Sequence, residues 1–253
     1  WRLNFGLTVT TYFPEAGNPG TNTVDGWVER ATAAATWAAT RDGVGTGVDG
    51  TTALSSANTG SINIARTSGT APPDNFIRLS RFIAVFYDLR TMGTDTISSA
   101  TYSVFDESGS LQLNGGAGNL SKMVLVASTP ADAEDNELVA GDYTQLGTTD
   151  FGQSVVQNAR TSAAYNDITL LAAGLTALTT AKDGNGKAAL GERFGWDFSN
   201  DTTGLTDLAN SGDQTIRHYQ ADQAGTANDP KLVVVHTGAA VSAQNNLLLM
   251  GVS

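Results

Sequence analysis

The chain has 253 residues, of which only 15% are charged, and 14 Lys and Arg against 25 Asp and Glu give a net charge of −11. The absence of Cys excludes a disulfide-stapled scaffold, a thiolate metal site and a Cys nucleophile. Binding to nucleic-acid phosphates requires an excess of Lys and Arg, so the acidic surplus argues against nucleic acid as a partner.

Short apolar or alternating segments recur along the chain and predict about ten strands. They lie at residues 3–13, 24–30, 62–65, 76–89, 97–106, 122–128, 166–171, 188–198, 215–221 and 231–237. In the fourth of these, both parities carry apolar side chains, which indicates a central strand covered on both faces. The number and spacing of the segments are typical of a β-sandwich.

Helix and loop signals are fewer. Residues 172–181 predict one short helix, and residues 31–40, rich in Ala and Thr, fit a helix or a strand equally well. The Gly-rich residues 42–50 are predicted to be a loop. We expect a single domain over residues 1–237, followed by a linker and apolar tail over residues 238–253. No apolar run approaches the length of a membrane-spanning helix, so no membrane insertion is predicted.

Four groups of segments, in chain order, resemble one family of extracellular β proteins. They are RFIAVFYDL with TISSATYSV (81–89 and 96–104), VAGDY (139–143), ITLLAAGLTAL with ALGERF (168–178 and 189–194), and QADQAGTANDPKLVVV (220–235). In composition and order these segments are similar to the DNRLRE-type domain and its relatives among carbohydrate-binding modules. Leu171 departs from the pattern, because the family often has Asn there. The resemblance implies an all-β jelly-roll sandwich with one or two short helices, secreted or carried on a virion.

Arg81 lies within an apolar strand pattern, where an unpaired charge is costly to bury. We expect it to pair with a carboxylate, and Asp88, Asp142 and Asp197 are the candidates. The chain has two histidines and no Gly-x-Ser-x-Gly elbow, so we interpret both as ordinary strand residues and predict no enzymatic activity.

Two local patterns suggest a ligand. Acidic residues crowd the segment that holds Asp132, Asp135, Glu137 and Asp142, and calcium prefers such oxygen ligands. An acidic loop that only aids solubility is the alternative interpretation. Trp37 lies among small residues and is the Trp that we expect to be exposed, where its ring would serve as a platform for a sugar.

The apolar tail suggests how the protein assembles. Its side chains are Leu247, Leu248, Leu249, Met250 and Val252. An isolated apolar strand is a liability when exposed, so it either folds back on its own sandwich or adds to a neighbouring subunit. We expect an intersubunit contact, with copies of the same chain or other virion or filament subunits as partners.

These observations lead to two functional hypotheses. The first is a non-enzymatic structural subunit of a virion, as a phage tail, fibre or capsid decoration, or of an extracellular filament. The alternative is a carbohydrate-binding module that attaches to a surface glycan. No cofactor is expected apart from the calcium considered above.

Overall fold

The computed structural model describes residues 6–14, 25–49, 59–66, 76–109, 112–113, 120–129, 138–203, 205, 213–221 and 225–238. Within these residues the chain forms thirteen strands in two sheets, whose neighbouring strands are all antiparallel, and three short α-helices. The predicted all-β sandwich with few helices is confirmed.

The smaller sheet has four strands in the order β1-β13-β6-β10. These strands are β1 (Leu7–Tyr12), β6 (Thr96–Phe105), β10 (Tyr165–Thr169) and β13 (Lys231–Thr237). In β13 buried and half-buried residues alternate strictly, because one face packs on the core and the other does not. The inner face therefore carries Leu232 and Val234, and the opposite face carries Val233 and Val235.

The larger sheet has nine strands, with β5 at its centre. They are β2 (Asp25–Ala35), β3 (Gly47–Asp49), β4 (Thr59–Arg66), β5 (Phe76–Phe86), β7 (Gln112–Leu113), β8 (Lys122–Ala127), β9 (Gly152–Val156), β11 (Ala188–Phe194) and β12 (Asp213–Tyr219). Strand β2 runs along most of β5, while β4 and β11 pair with its two halves. Nearly every residue of β5 is buried, as its two apolar faces predict.

The two sheets share one core. The rings of Phe86 in β5 and Tyr102 in β6 meet edge to face with their centroids 6.0 Å apart. The Tyr102 hydroxyl also donates a hydrogen bond to Glu192 Oε1 in β11, at 2.6 Å. The contact between the sheets thus combines apolar packing with a buried polar group.

The helices are α1 (Trp37–Asp42), α2 (Ala172–Asp183) and α3 (Gly195–Ser199), and 3₁₀ turns lie at Leu89–Met92, Ala140–Thr144 and Gln157–Ala159. The helix predicted at residues 172–181 is confirmed and extends to Asp183. Residues 31–40 contain both a strand and a helix, because β2 runs to Ala35 and α1 begins at Trp37. The Thr36 hydroxyl caps α1 by accepting from the Ala39 N–H.

Two predictions of local structure are wrong. The strand predicted over residues 188–198 ends at Phe194, because α3 follows. The start of α3 packs closely against residue 120, which Gly195 permits because a Cβ there would lie 2.7 Å from the Leu120 carbonyl oxygen. The predicted loop at residues 42–50 contains β3, which pairs with β2. Strands β7 and β9 were not predicted, because neither has a strong apolar pattern.

Candidate functional site

The outer face of the four-stranded sheet exposes apolar side chains on its edge strand. Leu7 and Val9 in β1 are 69% and 62% exposed. Val9 is the register partner of Val235 in β13, so the apolar surface continues onto the next strand. We call Leu7, Val9, Val233 and Val235 the open sheet face.

Strand β1 also has an unpaired edge within the described residues, where β13 is its one strand partner. An unpaired edge presents main-chain N–H and C=O groups that can pair with a strand of another molecule. The open sheet face and this edge lie on the same strand. Together they form the surface of the described chain that is best suited to association.

A three-residue chain of hydrogen bonds fixes β1 to the rest of the sheet. His236 Nδ1 lies 2.6 Å from Asp95 Oδ2, and His236 Nε2 lies 2.9 Å from Thr10 Oγ1. With the proton on Nδ1, the imidazole donates to the carboxylate and accepts from the hydroxyl. We call these residues the β1 lock, because they join β1, β13 and the turn before β6.

The geometry of the β1 lock is also that of a nucleophile, a general base and an orienting acid. Acyl transfer would need, in addition, donors placed for an oxyanion and a cleft for the substrate. Thr10 lies in the middle of a paired strand, and His236 is buried. The arrangement is explained by its role in holding an edge strand, and sequence spacing gave no signal of it because the three residues lie far apart in the chain.

Arg81 pairs with Asp197, one of the three carboxylates that the sequence left open. Its Nε and Nη2 each donate to the Asp197 carboxylate at 2.8 Å. Arg193 binds the same carboxylate at 2.9 and 2.8 Å. Arg81 also donates to the backbone oxygens of Tyr143 and Arg41. This network connects strands β5 and β11 of the nine-stranded sheet with α1, α3 and the 3₁₀ turn at Ala140–Thr144. These last three elements cover the outer side of that sheet.

The electrostatics of this network favour an ionised carboxylate. Burial alone would raise the pKa of Asp197, but the charges and hydrogen bonds of Arg81 and Arg193 hold it well below its usual range. The guanidinium donors of both arginines are directed at Asp197 and at backbone oxygens. The network therefore stabilises the fold and is not arranged to bind a ligand.

A second cluster of polar side chains is buried between the sheets. Glu192 accepts from Tyr102, and His218 Nε2 lies 3.6 Å from the same Glu192 oxygen. Burial raises the pKa of Glu192 to about 7 and lowers the pKa of His218 to about 3. Both pKa shifts are toward the neutral form, as expected for ionisable groups that are out of contact with bulk water. Nearby, Arg160 binds Asp106 through two hydrogen bonds of 2.8 and 2.6 Å.

The exposure that we expected for Trp37 is wrong. Its side chain is only 7% exposed, its ring centroid lies 5.0 Å from that of Phe76, and its indole N–H donates to Asn200 Oδ1. The small neighbours Ala38 and Ala39 are themselves exposed, and Trp37 and Thr40 are the buried residues of α1. Trp37 therefore has no open ring face of the kind that stacks on a sugar.

The calcium prediction stays a prediction. Asp132, Asp135 and Glu137 lie outside the described residues. Asp142 is described and buried, and its Oδ2 accepts from the Val139 N–H at 2.8 Å, which caps the 3₁₀ turn. Among the described residues no group of three or more His, Asp or Glu is placed to hold a metal ion.

The remaining predicted contact residues, Leu247, Leu248, Leu249, Met250 and Val252, also lie outside the described residues. None of the described helices is long and apolar enough to cross a membrane.

Comparison of the sequence with known family models and with curated proteins finds no match. The resemblance to DNRLRE-type domains therefore depends on the sequence segments alone.

Proposed function

We propose that this chain is a non-enzymatic structural subunit that assembles with copies of itself through the open sheet face and the free edge of β1. The observation that carries the proposal is the exposure of Leu7 and Val9, 69% and 62%, on an edge strand. Most other large apolar side chains of the described residues are buried in the core. An exposed apolar pair on a strand with one unpaired edge is explained by association better than by stability of the single chain.

The free energy available on this surface is sufficient for a weak contact that repeats. Burial of one Val or Leu side chain contributes about 1.5–3 kcal/mol, and pairing of strand edges adds main-chain hydrogen bonds. A two-fold contact between identical edges would give a dimer, whereas a head-to-tail contact would give a ring or a filament. The β1 lock supports this use, because it holds the edge strand in place before a partner arrives.

The apolar tail supplies a second element of the same proposal. By sequence, residues 247–252 begin ten residues beyond Thr237, the last residue of β13, and β13 is the neighbour of β1. An extended apolar segment is the kind of strand that adds to a free sheet edge. We infer that the tail of one copy pairs with β1 of the next.

A virion or an extracellular filament is the setting that fits best. The Cys-free, Thr- and Gly-rich composition and the resemblance to DNRLRE-type domains support it. Durability in such an assembly would come from packing and subunit contacts, since no disulfide can form.

The test is the state of association in solution. We expect light scattering and electron microscopy of the wild type at about 100 µM to show discrete oligomers or filaments, because a weak contact is populated only at high protein concentration. The double variant Leu7→Lys, Val9→Lys should be monomeric. The control Val44→Lys changes a side chain that is 72% exposed but lies outside the sheets, and it should assemble as the wild type does. A monomeric wild type, or unchanged assembly of the double variant, would contradict the proposal.

Removal of the tail separates the two elements. Truncation after Gly238 leaves the open sheet face intact. If the truncated chain is monomeric while the wild type assembles, the tail supplies the partner strand. If it assembles fully, the contact is between β1 edges and the tail is not required.

Glycan binding is a second candidate, because a different set of aromatic rings is half-buried at the surface. Phe105 lies 5.2 Å from Tyr165 and 5.7 Å from Tyr219, centroid to centroid, and Lys231 Nζ lies 3.5 Å from the Tyr165 ring. A glycan-array signal lost in Tyr219→Ala and kept in the control Tyr87→Ala would favour this function. Binding that is equal in both variants, or absent, would exclude this surface.

A further inference from the structure

The nine-stranded sheet splits between strands β4 and β11, which lie on the same side of β5. Strand β4 pairs with β5 as far as Leu79, and β11 pairs with it from Phe82 onward, while β2 occupies the other side of β5. In the pairing that the structure describes, residues 59–63 of β4 pair with β12 alone. Strands β4 and β12 therefore diverge from β11, and we call the space between them the sheet fork.

Polar side chains from both arms meet in the sheet fork. Glu192 of β11 and His218 of β12 approach until Oε1 and Nε2 are 3.6 Å apart, which is too long for a hydrogen bond. Gln220 lies two residues beyond His218 in extended chain and is also fully buried, so both side chains are on the inner side. Arg160 is bound to Asp106, and its charge acts on both Glu192 and His218. These side chains form one buried polar cluster.

Several polar atoms of this cluster have no hydrogen-bond partner among the described residues. They are Glu192 Oε2, both ring nitrogens of His218, both polar atoms of the Gln220 side-chain amide, and Arg160 Nη1. A buried polar atom without a partner is costly, and buried polar groups in native proteins are nearly always satisfied by protein or by ordered water. The concentration of such atoms in one cluster indicates a bound molecule.

The chemistry of these atoms requires a molecule that both donates and accepts hydrogen bonds. Arg160 Nη1 and the Gln220 amide nitrogen donate, the Gln220 amide oxygen accepts, and a neutral His218 ring does both. The positive charge of Arg160 disfavours a cation, and the carboxyl groups of Glu192 and Asp106 disfavour an anion. Water satisfies donors and acceptors alike, and a buried water typically makes about three hydrogen bonds.

We propose that the sheet fork is an internal hydration site, in which ordered water binds to Glu192, His218 and Gln220. The water joins β11 to β12 at the place where the sheet gives these two strands no main-chain hydrogen bonds to each other. It is thus a structural part of the single chain. The site lies between the sheets and not on the open sheet face, so it is independent of the proposed assembly.

An experimental crystal structure of the full chain tests the proposal directly. Crystals at about pH 6 are suitable, because both Glu192 and His218 are then neutral, with pKa values of about 7 and about 3. We expect ordered water within about 3 Å of Glu192 Oε2 and of a His218 ring nitrogen. A dry fork, a direct hydrogen bond between Glu192 and His218, or an ion in place of water would overturn the proposal.

Magnetic relaxation dispersion of the solvent nuclei tests the same site in solution, because it detects internal water that exchanges slowly. The double variant Glu192→Met, His218→Phe replaces two polar side chains by apolar ones and should lose part of the dispersion amplitude. Gln220→Leu is a milder change of the same kind, should the double variant not fold. The control Ser154→Ala removes a buried hydroxyl that is bonded to the Met123 N–H and the Val155 carbonyl, and it should keep the full amplitude. Wild-type amplitude in a folded fork variant would contradict the proposal.

Discussion

In the nine-stranded sheet the central strand β5 is buried on both faces, whereas the four-stranded sheet buries its inner face and leaves Leu7 and Val9 exposed on the other. The nine-stranded sheet, which we call the covered sheet, places charged groups out of contact with water, and there the buried charges of Arg81 and Arg193 are balanced by Asp197. The four-stranded sheet keeps the apolar side chains of Leu7 and Val9 exposed to water. The comparison shows which interactions serve stability and which surface remains for another molecule.

The largest effect on stability is expected at the network of the covered sheet. Asp197→Ala leaves Arg81 and Arg193 buried without a carboxylate, and loss of one partner of a buried ion pair costs about 3–5 kcal/mol. Urea unfolding measures this loss. The control Asp42→Ala removes a carboxylate that is 56% exposed and pairs with Arg41, and it should cost less than about 1 kcal/mol. Equal losses of stability in the two variants would show that the cost of breaking these ion pairs does not depend on their burial.

The next effect depends on pH. Burial raises the pKa of Glu192 from 4.5 to about 7, so its contribution to stability is full below pH 4.5 and is lost as the pH rises through 7. Glu192→Gln removes the buried charge and keeps an acceptor for Tyr102. We expect the variant to be more stable than the wild type by about 3 kcal/mol at pH 8. The gain should shrink at pH 5.

In the wild type and in the Glu192→Gln variant alike, His218 changes stability with pH in the opposite direction to Glu192. Burial lowers its pKa from 6.5 to about 3, so its contribution is present above pH 6.5 and is lost as the pH falls through 3. Because the variant and the wild type share His218, its contribution cancels in their difference. Urea unfolding at pH 5 and pH 8 therefore isolates Glu192, and a gain that is equal at both pH values would contradict the assigned shift.

A smaller effect is expected at the β1 lock. Asp95→Ala removes the acceptor of His236 Nδ1–H, and loss of such a hydrogen bond costs about 1–2 kcal/mol. Hydrogen exchange should also become faster in β1 than in β6, because the edge strand loses its attachment. Ser98→Ala removes an exposed hydroxyl that donates to the Val235 carbonyl and should leave β1 exchange unchanged.

The sequence predicted the covered sheet better than the chemistry within it. Apolar residues on both parities of residues 76–89 indicated a central strand, and Arg81 within them indicated a buried ion pair. The choice of Asp197 over Asp88 and Asp142 could not be made, because it depends on α3 turning back toward β11. Asp88 instead precedes a 3₁₀ turn in a left-handed conformation, and Asp142 caps another.

Exposure was harder to predict than burial. Trp37 and Val9 illustrate this, since a Trp among small residues is buried while a Val in an alternating strand is 62% exposed. Alternation shows that a strand has two faces, but it does not show which face another layer covers. That information comes from contacts between distant segments, such as Trp37 with Phe76 and Thr10 with His236.

The smallest effect on the stability of a single chain is expected on the open sheet face. Val9→Thr keeps the β-branched shape and removes little buried apolar surface, so unfolding of the monomer should change by less than about 0.5 kcal/mol. The same change replaces an apolar contact between copies by a hydroxyl that must be desolvated, so it should weaken assembly. Unfolding at low concentration and light scattering at high concentration measure the two effects separately. A loss of monomer stability as large as that of Asp95→Ala would show that Val9 is packed within its own chain, and the open sheet face would then not be a free surface.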